Sequence, residues 1–239
     1  MNHASNRLHQ FESARHLATQ PRFIGLGSQM RMGKDTAADH LLKRLNETKI
    51  LGPWFRGSFA KEVKKLFCET FNVSPEFIEE WKVKTEIPPG FAMPIRDGLT
   101  IIGNGFRDIQ RDVWIKKLFE NNSANLVISD TRYINEANQI QNRGGITILL
   151  YRPGFENNKP SASEQELMPF VRALKDKPSG FIENEDIPFD LWLVNDGTLE
   201  NLHNRIDEVV MPYIMNFWKP KPQQIFVDPI ESAEELHKI

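Results

Sequence analysis

The sequence is almost without cysteine. Cys68 stands alone among 239 residues, which excludes an internal disulfide and fits a reducing compartment. No stretch approaches the ~18 apolar residues that a membrane-crossing helix needs. Neither sign of charge is in excess: Lys and Arg total 30 against 32 Asp and Glu, a net charge of −2. The basic surplus of a typical nucleic-acid binder is therefore missing, and any phosphate the protein handles is expected in a local site. There is no internal repeat and no low-complexity tract. Hydrophobic residues at 40% and charged residues at 26% are ordinary for a globular chain and exclude a disordered chain, a collagen or a coiled-coil rod. At this length one core can bury roughly 70–75% of the surface exposed by the unfolded chain.

Residues 1–20 carry His3, Arg7, His9, Glu12, Arg15 and His16 and lack the apolar stretch of a secretory signal. They read as an extension, and the chain as cytoplasmic. The polar, proline-rich run from Lys219 to Gln224 closes the domain, so the expected division is an extension over 1–20, a catalytic domain over 21–218 and a tail over 219–239. Within the domain, apolar runs alternate with helical periodicity. Arg22–Leu26, Trp54–Phe59, Leu126–Ile128, Ile146–Tyr151 and Phe189–Val194 read as strands. Helical spacing marks Ala37 to Leu45, Ala60 to Phe71, Trp114 to Phe119, Ile134 to Ile140 and Leu199 to Phe217. Strand and helix in alternation imply an α/β fold, a parallel sheet with helices on both faces. Ligands of such sheets bind beyond the carboxyl ends of the strands.

The first strand runs into Gly27-Ser28-Gln29-Met30-Arg31-Met32-Gly33-Lys34-Asp35-Thr36, and a helix follows at once. Strand, glycine-containing turn and helix N-terminus form the context of a phosphate-binding loop. The helix end offers unpaired N–H donors and a partial positive charge. Gly33 lets the backbone approach a phosphate, Lys34 adds a mobile cation, and Thr36 offers a hydroxyl to phosphate or Mg²⁺. Asp35 stands where the usual pattern has Ser or Thr; it could hold Mg²⁺ through oxygen or simply favour the helix start. The bland alternative is a glycine-rich turn capping an ordinary helix.

Asp130 and Arg132 follow the strand ending at Ile128, Arg152 follows the next, and Asn195 follows the last. An acid at a strand end can orient a metal, and an arginine can grip phosphate bidentately. The alternatives stay open: Asp130 as the cap of the next helix, the arginines as solvated surface groups, Asn195 as part of a turn.

Taken together these residues resemble the phage-type deoxynucleoside monophosphate kinases of the P-loop kinase superfamily, over about Phe23 to Leu202. Arg31-Met32-Gly33-Lys34-Asp35-Thr36-Ala37-Ala38-Asp39 stands where that family reads R-S-G-K-D-T-x-A-D. Asp130-Thr131-Arg132 with Glu136, Arg152-Pro153-Gly154, and Asn195-Asp196-Gly197-Thr198 follow in order. The family's R-x₃-Q-x₂-G-T, then Trp, is met by Arg96, Gly103 and Trp114; Thr100 replaces Gln, Asn104 replaces Thr, and Met32 replaces the loop serine. These departures touch the choice of base more than the reaction. Lys64 aligns with a family lysine.

The resemblance implies a P-loop, nucleoside monophosphate kinase-like three-layer fold. It implies transfer of the γ-phosphoryl of ATP to a deoxynucleoside monophosphate, giving ADP and a diphosphate, with Mg²⁺, as in phage DNA precursor synthesis in a host cytoplasm. Lys34, Asp35 and Arg132 would be catalytic. Arg31, Met32, Gly33, Lys34, Asp35, Thr36, Arg152 and Asn195 would bind ATP, with Asn195 near the adenine. Lys64, Arg96, Asn104, Trp114, Asp130, Arg132 and Glu136 would bind the acceptor, and Asp35, Thr36 and Asp130 the metal. A lid is expected over about 155–187, against the alternative of a solvated basic helix. Trp81 and Phe91 read better as core than as walls for a base. No nucleic-acid or membrane partner is expected; a homodimer is compatible with the family. Other small-molecule P-loop kinases, such as dephospho-coenzyme A or phosphomevalonate kinases, and a nucleotide-binding regulatory protein are the rival readings.

Overall fold

The computed structural model describes residues 20–48, 52–155 and 161–218. The expected tail, all of the expected extension except Gln20, and part of the expected lid lie outside them. The order of elements is β1 (Phe23–Gly27), α1 (Lys34–Thr48), β2 (Trp54–Gly57), α2 (Ala60–Phe71), α3 (Pro75–Trp81), α4 (Ile95–Ile109), α5 (Val113–Glu120), β3 (Asn125–Thr131), α6 (Ile134–Gln141) and β4 (Ile146–Tyr151). Then come α7 (Ala162–Leu174), β5 (Gly180–Phe181), β6 (Leu191–Val194), α8 (Leu199–Arg205), a π-helical turn (Ile206–Val210) and α9 (Met211–Phe217).

The six strands form one sheet in the order β2-β3-β1-β4-β6-β5. Every pairing is parallel except β5 with β6. The parallel strands are apolar because helices cover both faces. Alternation sends Ile24 and Leu26 of β1, with Val127 of β3, into one core beside Ala37, Leu41 and Leu45 of α1 and Ile206 and Ile214 near the C-terminal end of the described chain. Phe23, Leu126 and Ile128 point the opposite way, onto Val63, Trp114, Leu118 and Ile140. The domain is thus a mixed α/β structure of three layers. Among the described residues no helix is long and apolar enough to cross a membrane.

Three features differ from the sequence reading. Two helices, α3 and α4, occupy a stretch for which no helix was expected, and they enclose a small third core of Phe67, Ile78 and Ile95. Trp81 and Phe91 pack against that core, as the core reading of these aromatics expects. The long last helix is interrupted by the π turn at Ile206–Val210. Finally, α7 sits inside the expected lid, yet its Leu167, Val171 and Leu174 are buried in the main core and β5 joins the sheet. That part of the segment is therefore built into the domain, with Arg172, Lys175 and Lys177 on its exposed side.

Candidate active site

The carboxyl ends of the five parallel strands lie along one edge of the sheet, and the chain between β1 and α1 turns there. Arg31 and Gly33 both adopt positive φ, 66° and 94°. Such a conformation suits glycine, and at Gly33 a Cβ would also stand 2.7 Å from the Asn195 amide nitrogen. Lys34 opens α1, and the Ala37 N–H closes its first turn on the Gly33 carbonyl at 2.9 Å. The N–H groups before Ala37 therefore have no helical partner and point out of the helix start.

The loop is fastened from three sides. The Asn195 side-chain amide donates to the Met32 carbonyl at 3.0 Å, and the Arg152 N–H reaches the buried Met32 sulfur at 3.1 Å. The Glu164 carboxylate of α7 accepts the Met30 N–H at 2.6 Å. Asn195 and Arg152 both follow strands, so the sheet itself sets the loop. Asn195, expected near the adenine, is buried beneath the loop as a brace. Arg152 lays its guanidinium over the Phe155 ring at 3.9 Å, a flat cationic–aromatic surface beside the loop.

Asp35 is the electrostatic focus. One of its oxygens meets Lys34 Nζ at 2.8 Å and the other meets Arg56 at 2.9 Å. Burial pushes its pKa up, but the bond to Lys34, the charges of Lys34 and Arg56 and a hydrogen bond from Ser129 outweigh that and hold it below the usual carboxylate range. Arg56 projects from β2, the strand that neighbours β3.

Asp130 resolves differently from either reading of it. Its two oxygens accept from the Ser58 hydroxyl at 2.7 Å and from the Phe59 and Ala60 N–H groups at 2.9 Å. It caps α2, the helix after β2, rather than the helix that follows it in sequence. Arg132 is exposed, and among the described residues its guanidinium has no ion-pair partner; its N–H donates to Glu136 at 2.7 Å. Glu136 is buried and takes a second N–H from Tyr133 at 3.1 Å, while its other oxygen faces Arg107 at 3.2 Å. Burial raises its pKa to about 7; the Arg132 N–H opposes this, Asp130 adds to it, and Arg107 and the Tyr133 N–H oppose it. As placed, Glu136 fixes the backbone that carries Arg132 instead of facing open space.

Of the residues expected to meet the acceptor, Arg96 at the start of α4 donates to the Lys82 carbonyl at 3.2 Å and touches the Met30 sulfur at 3.6 Å. That contact brings it against the loop. Asn104, further along α4, lies 3.5 Å from the Tyr133 hydroxyl. Lys64 is paired with Glu79 of α3 at 2.7 Å. Trp114 is buried and donates its indole N–H to the Gly103 carbonyl at 2.9 Å; it braces α4 from inside and lines no open surface. The structure thus gathers Arg31 to Thr36, Arg96, Arg152 and Asn195 around one loop. Arg132 and Asn104 sit in the neighbouring group around Tyr133 and Glu136.

Arg107 and Arg56 escape the sequence reading, and Glu164, which resembles a family position, has no role in it. Arg107 continues the α4 face of Arg96, Thr100 and Gly103 at i+4, i+7 and i+11, so helical spacing could have found it. Glu164 sits in the capping box Ser161-x-x-Glu164, which signals a helix start but not the loop contact. Arg56 has no sequence signal, being one arginine in a short strand.

No family model matches the chain. A protein of Acanthamoeba polyphaga mimivirus named "Putative deoxynucleotide monophosphate kinase" is 30% identical over 205 residues, which span 77% of this chain and 93% of the viral protein. Among solved structures, an unliganded sugar kinase from Janibacter sp. HTCC2649 aligns at 13% identity over 80% of this chain and 95% of its own. Its TM-score of 0.33 is too low to bear on the fold or the chemistry.

Proposed function

Since the chain belongs to the kinase family of its mimivirus relative, we propose that it transfers the γ-phosphoryl group of ATP to the 5′-phosphate of a deoxynucleoside monophosphate. An oxygen of the acceptor phosphate forms the new bond to the γ-phosphorus. The bond from that phosphorus to the β–γ bridging oxygen breaks, and the electron pair leaves on ADP. The acceptor is already an anion, so no strong base is needed. The barrier lies in bringing two polyanions into line, which positioning and charge neutralisation can lower.

The observation that carries this reading is the loop itself: a positive-φ turn, open N–H groups and Lys34 at the start of α1, with Arg96 against its outer side. The β2-β3-β1-β4-β6 order of parallel strands supports a P-loop kinase fold. Lys34 and the loop amides would hold the donor phosphates, with Arg31 exposed beside them. Arg152 with Phe155 would flank the donor base. Arg96 and Arg132 would hold the acceptor phosphate, Lys64 joining them by leaving Glu79, and Asn104 would meet the acceptor base or sugar. Glu136 and Asn195 act by positioning, through Arg132 and the loop respectively.

Mg²⁺ fits part of the expected ligand set. Among the described residues no three His, Cys, Asp or Glu side chains converge as a metal cage. That suits a cation which keeps water and phosphate oxygens and takes few protein ligands. Thr36 offers an exposed hydroxyl at the helix start, and Asp35 an exposed carboxylate whose oxygens, paired here with Lys34 and Arg56, would have to leave them to meet the ion. Asp130 does not fit as a direct ligand, since both its oxygens are held by α2. When bound, the ion would neutralise and orient the donor phosphates.

The test is acceptor-dependent ADP release over a panel of deoxynucleoside and ribonucleoside monophosphates, dephospho-coenzyme A and phosphomevalonate. The expected result is turnover with at least one deoxynucleoside monophosphate, reduced about 10²–10³-fold in Lys34→Ala. Turnover confined to other acceptors, or unchanged in Lys34→Ala, contradicts the proposal.

A further inference from the structure

Resting on the phosphoryl-transfer reading, we propose that Arg56 is a further catalytic residue, which together with Lys34 forms a two-cation cradle for the transferring phosphoryl group. The juxtaposition that assigns this role is one carboxylate bridging two cations from different elements. Lys34 Nζ of α1 and Arg56 Nη2 of β2 take opposite oxygens of Asp35, at 2.8 and 2.9 Å. A phosphoryl group makes the same demand, an anionic oxygen face between two cations, and a guanidinium fork suits it well.

Three observations distinguish this from an ordinary surface pair. Asp35 is the exposed member: its side chain is 63% exposed, against 19% for Lys34 and 32% for Arg56. It can swing into solvent without disturbing the core, and exposed ion pairs are weak enough to exchange. Arg56, by contrast, stays tethered when Asp35 leaves. Its Nη1 holds Asp39 at 2.9 Å and its Nε holds the Ser129 hydroxyl at 3.1 Å. The edge freed is Nη2, the one that Asp35 had covered. Lastly, the cradle stands at the first turn of α1, where open N–H groups and the helix dipole already favour an anion. Asp35 serves as an internal anion that keeps two like charges together and yields to the phosphoryl group. Charge on the γ-phosphoryl oxygens is then met from two directions as the bond to the bridging oxygen breaks.

The experiment compares the full chain with Arg56→Gln and Arg56→Lys. Calorimetric titration measures binding of ADP and of an ATP analogue with an imido bridge between the β and γ phosphorus atoms. Turnover is followed on the best acceptor. A cradle for the terminal phosphoryl predicts that Arg56→Gln weakens the analogue about tenfold or more while ADP binding changes less than about twofold. The same variant should lose about 10²-fold in turnover, and Arg56→Lys should recover part of both. Equal weakening of the two nucleotides, or turnover within about twofold of the unaltered chain, overturns the assignment, because a residue that merely holds Asp35 cannot tell ATP from ADP. If Arg56→Gln does not fold, the same discrimination is read in Arg56→Lys, which keeps the charge and loses the fork. An unaltered chain that binds neither nucleotide contradicts the kinase reading itself; one that phosphorylates its acceptor while Arg56→Gln does so equally well contradicts only the role of Arg56.

Discussion

At the scale of single residues, the site is readable wherever chemistry and spacing coincide. Gly33, Lys34 and Thr36 stand at the start of a helix after a buried strand, and the sequence places them there. Arg56 does not announce itself, because nothing in the spacing of β2 links residue 56 to residues 35, 39 and 129. Glu136 is legible as important yet not in its role. Only the fold reveals that it is buried against Arg107 and two N–H groups. Its raised pKa, about 7 against an ordinary value of 4.5, has a definite consequence. Between these values the folded protein keeps a proton that the unfolded chain has lost, so this group makes stability fall as pH rises from about 4.5 to about 7. Below that window both states are protonated, and above it the loss is complete. Urea denaturation at pH 5 and pH 8 should show Glu136→Gln losing about 2–3 kcal/mol less across the interval than the unaltered chain. Parallel behaviour of the two would mean that Glu136 ionises normally.

Elements were legible in proportion to how one-sided their environment is. β1 and β4 are buried on both faces, and β4 runs from Ile146 to Tyr151 as its apolar run suggests. Helix α2 was likewise visible, since Val63 and Phe67 face the core. Helix α4 was hidden by its glycines. Its apolar and polar residues do segregate to opposite faces, but Gly98, Gly103 and Gly105 read as turn signals. Helix α7 shows why a segment between two strands is not by itself a lid. Its capping glutamate reaches the β1–α1 loop as well as its own helix start, through the Met30 N–H on one oxygen and the Ser161 N–H and hydroxyl on the other. Removing it in Glu164→Ala should cost about 2 kcal/mol in urea denaturation, the range for hydrogen bonds to a charged group, and should weaken ATP binding through the slackened loop. A loss below about 0.5 kcal/mol would mean that the contact carries no load.

At the scale of the whole molecule, the sheet order matters more than any one contact. A central β1 flanked by β3 and β4 puts the β1–α1 loop between the segment carrying Arg132 and the segment carrying Arg152. Groups far apart in the chain thus meet at one edge. The α/β class followed from the alternation of strand and helix, but the strand order did not, since periodicity marks elements without saying which become neighbours.

In the proposed reaction the backbone of residues 28–36 wraps the phosphates of ATP. Amide chemical shifts of the ¹⁵N-labelled chain, followed by NMR during titration with ATP, test it most directly. The largest shifts are expected at the amides of Met30 to Thr36 and should be mostly lost in Lys34→Ala. Shifts centred on another part of the molecule, with this loop unmoved, would mean that ATP is held elsewhere.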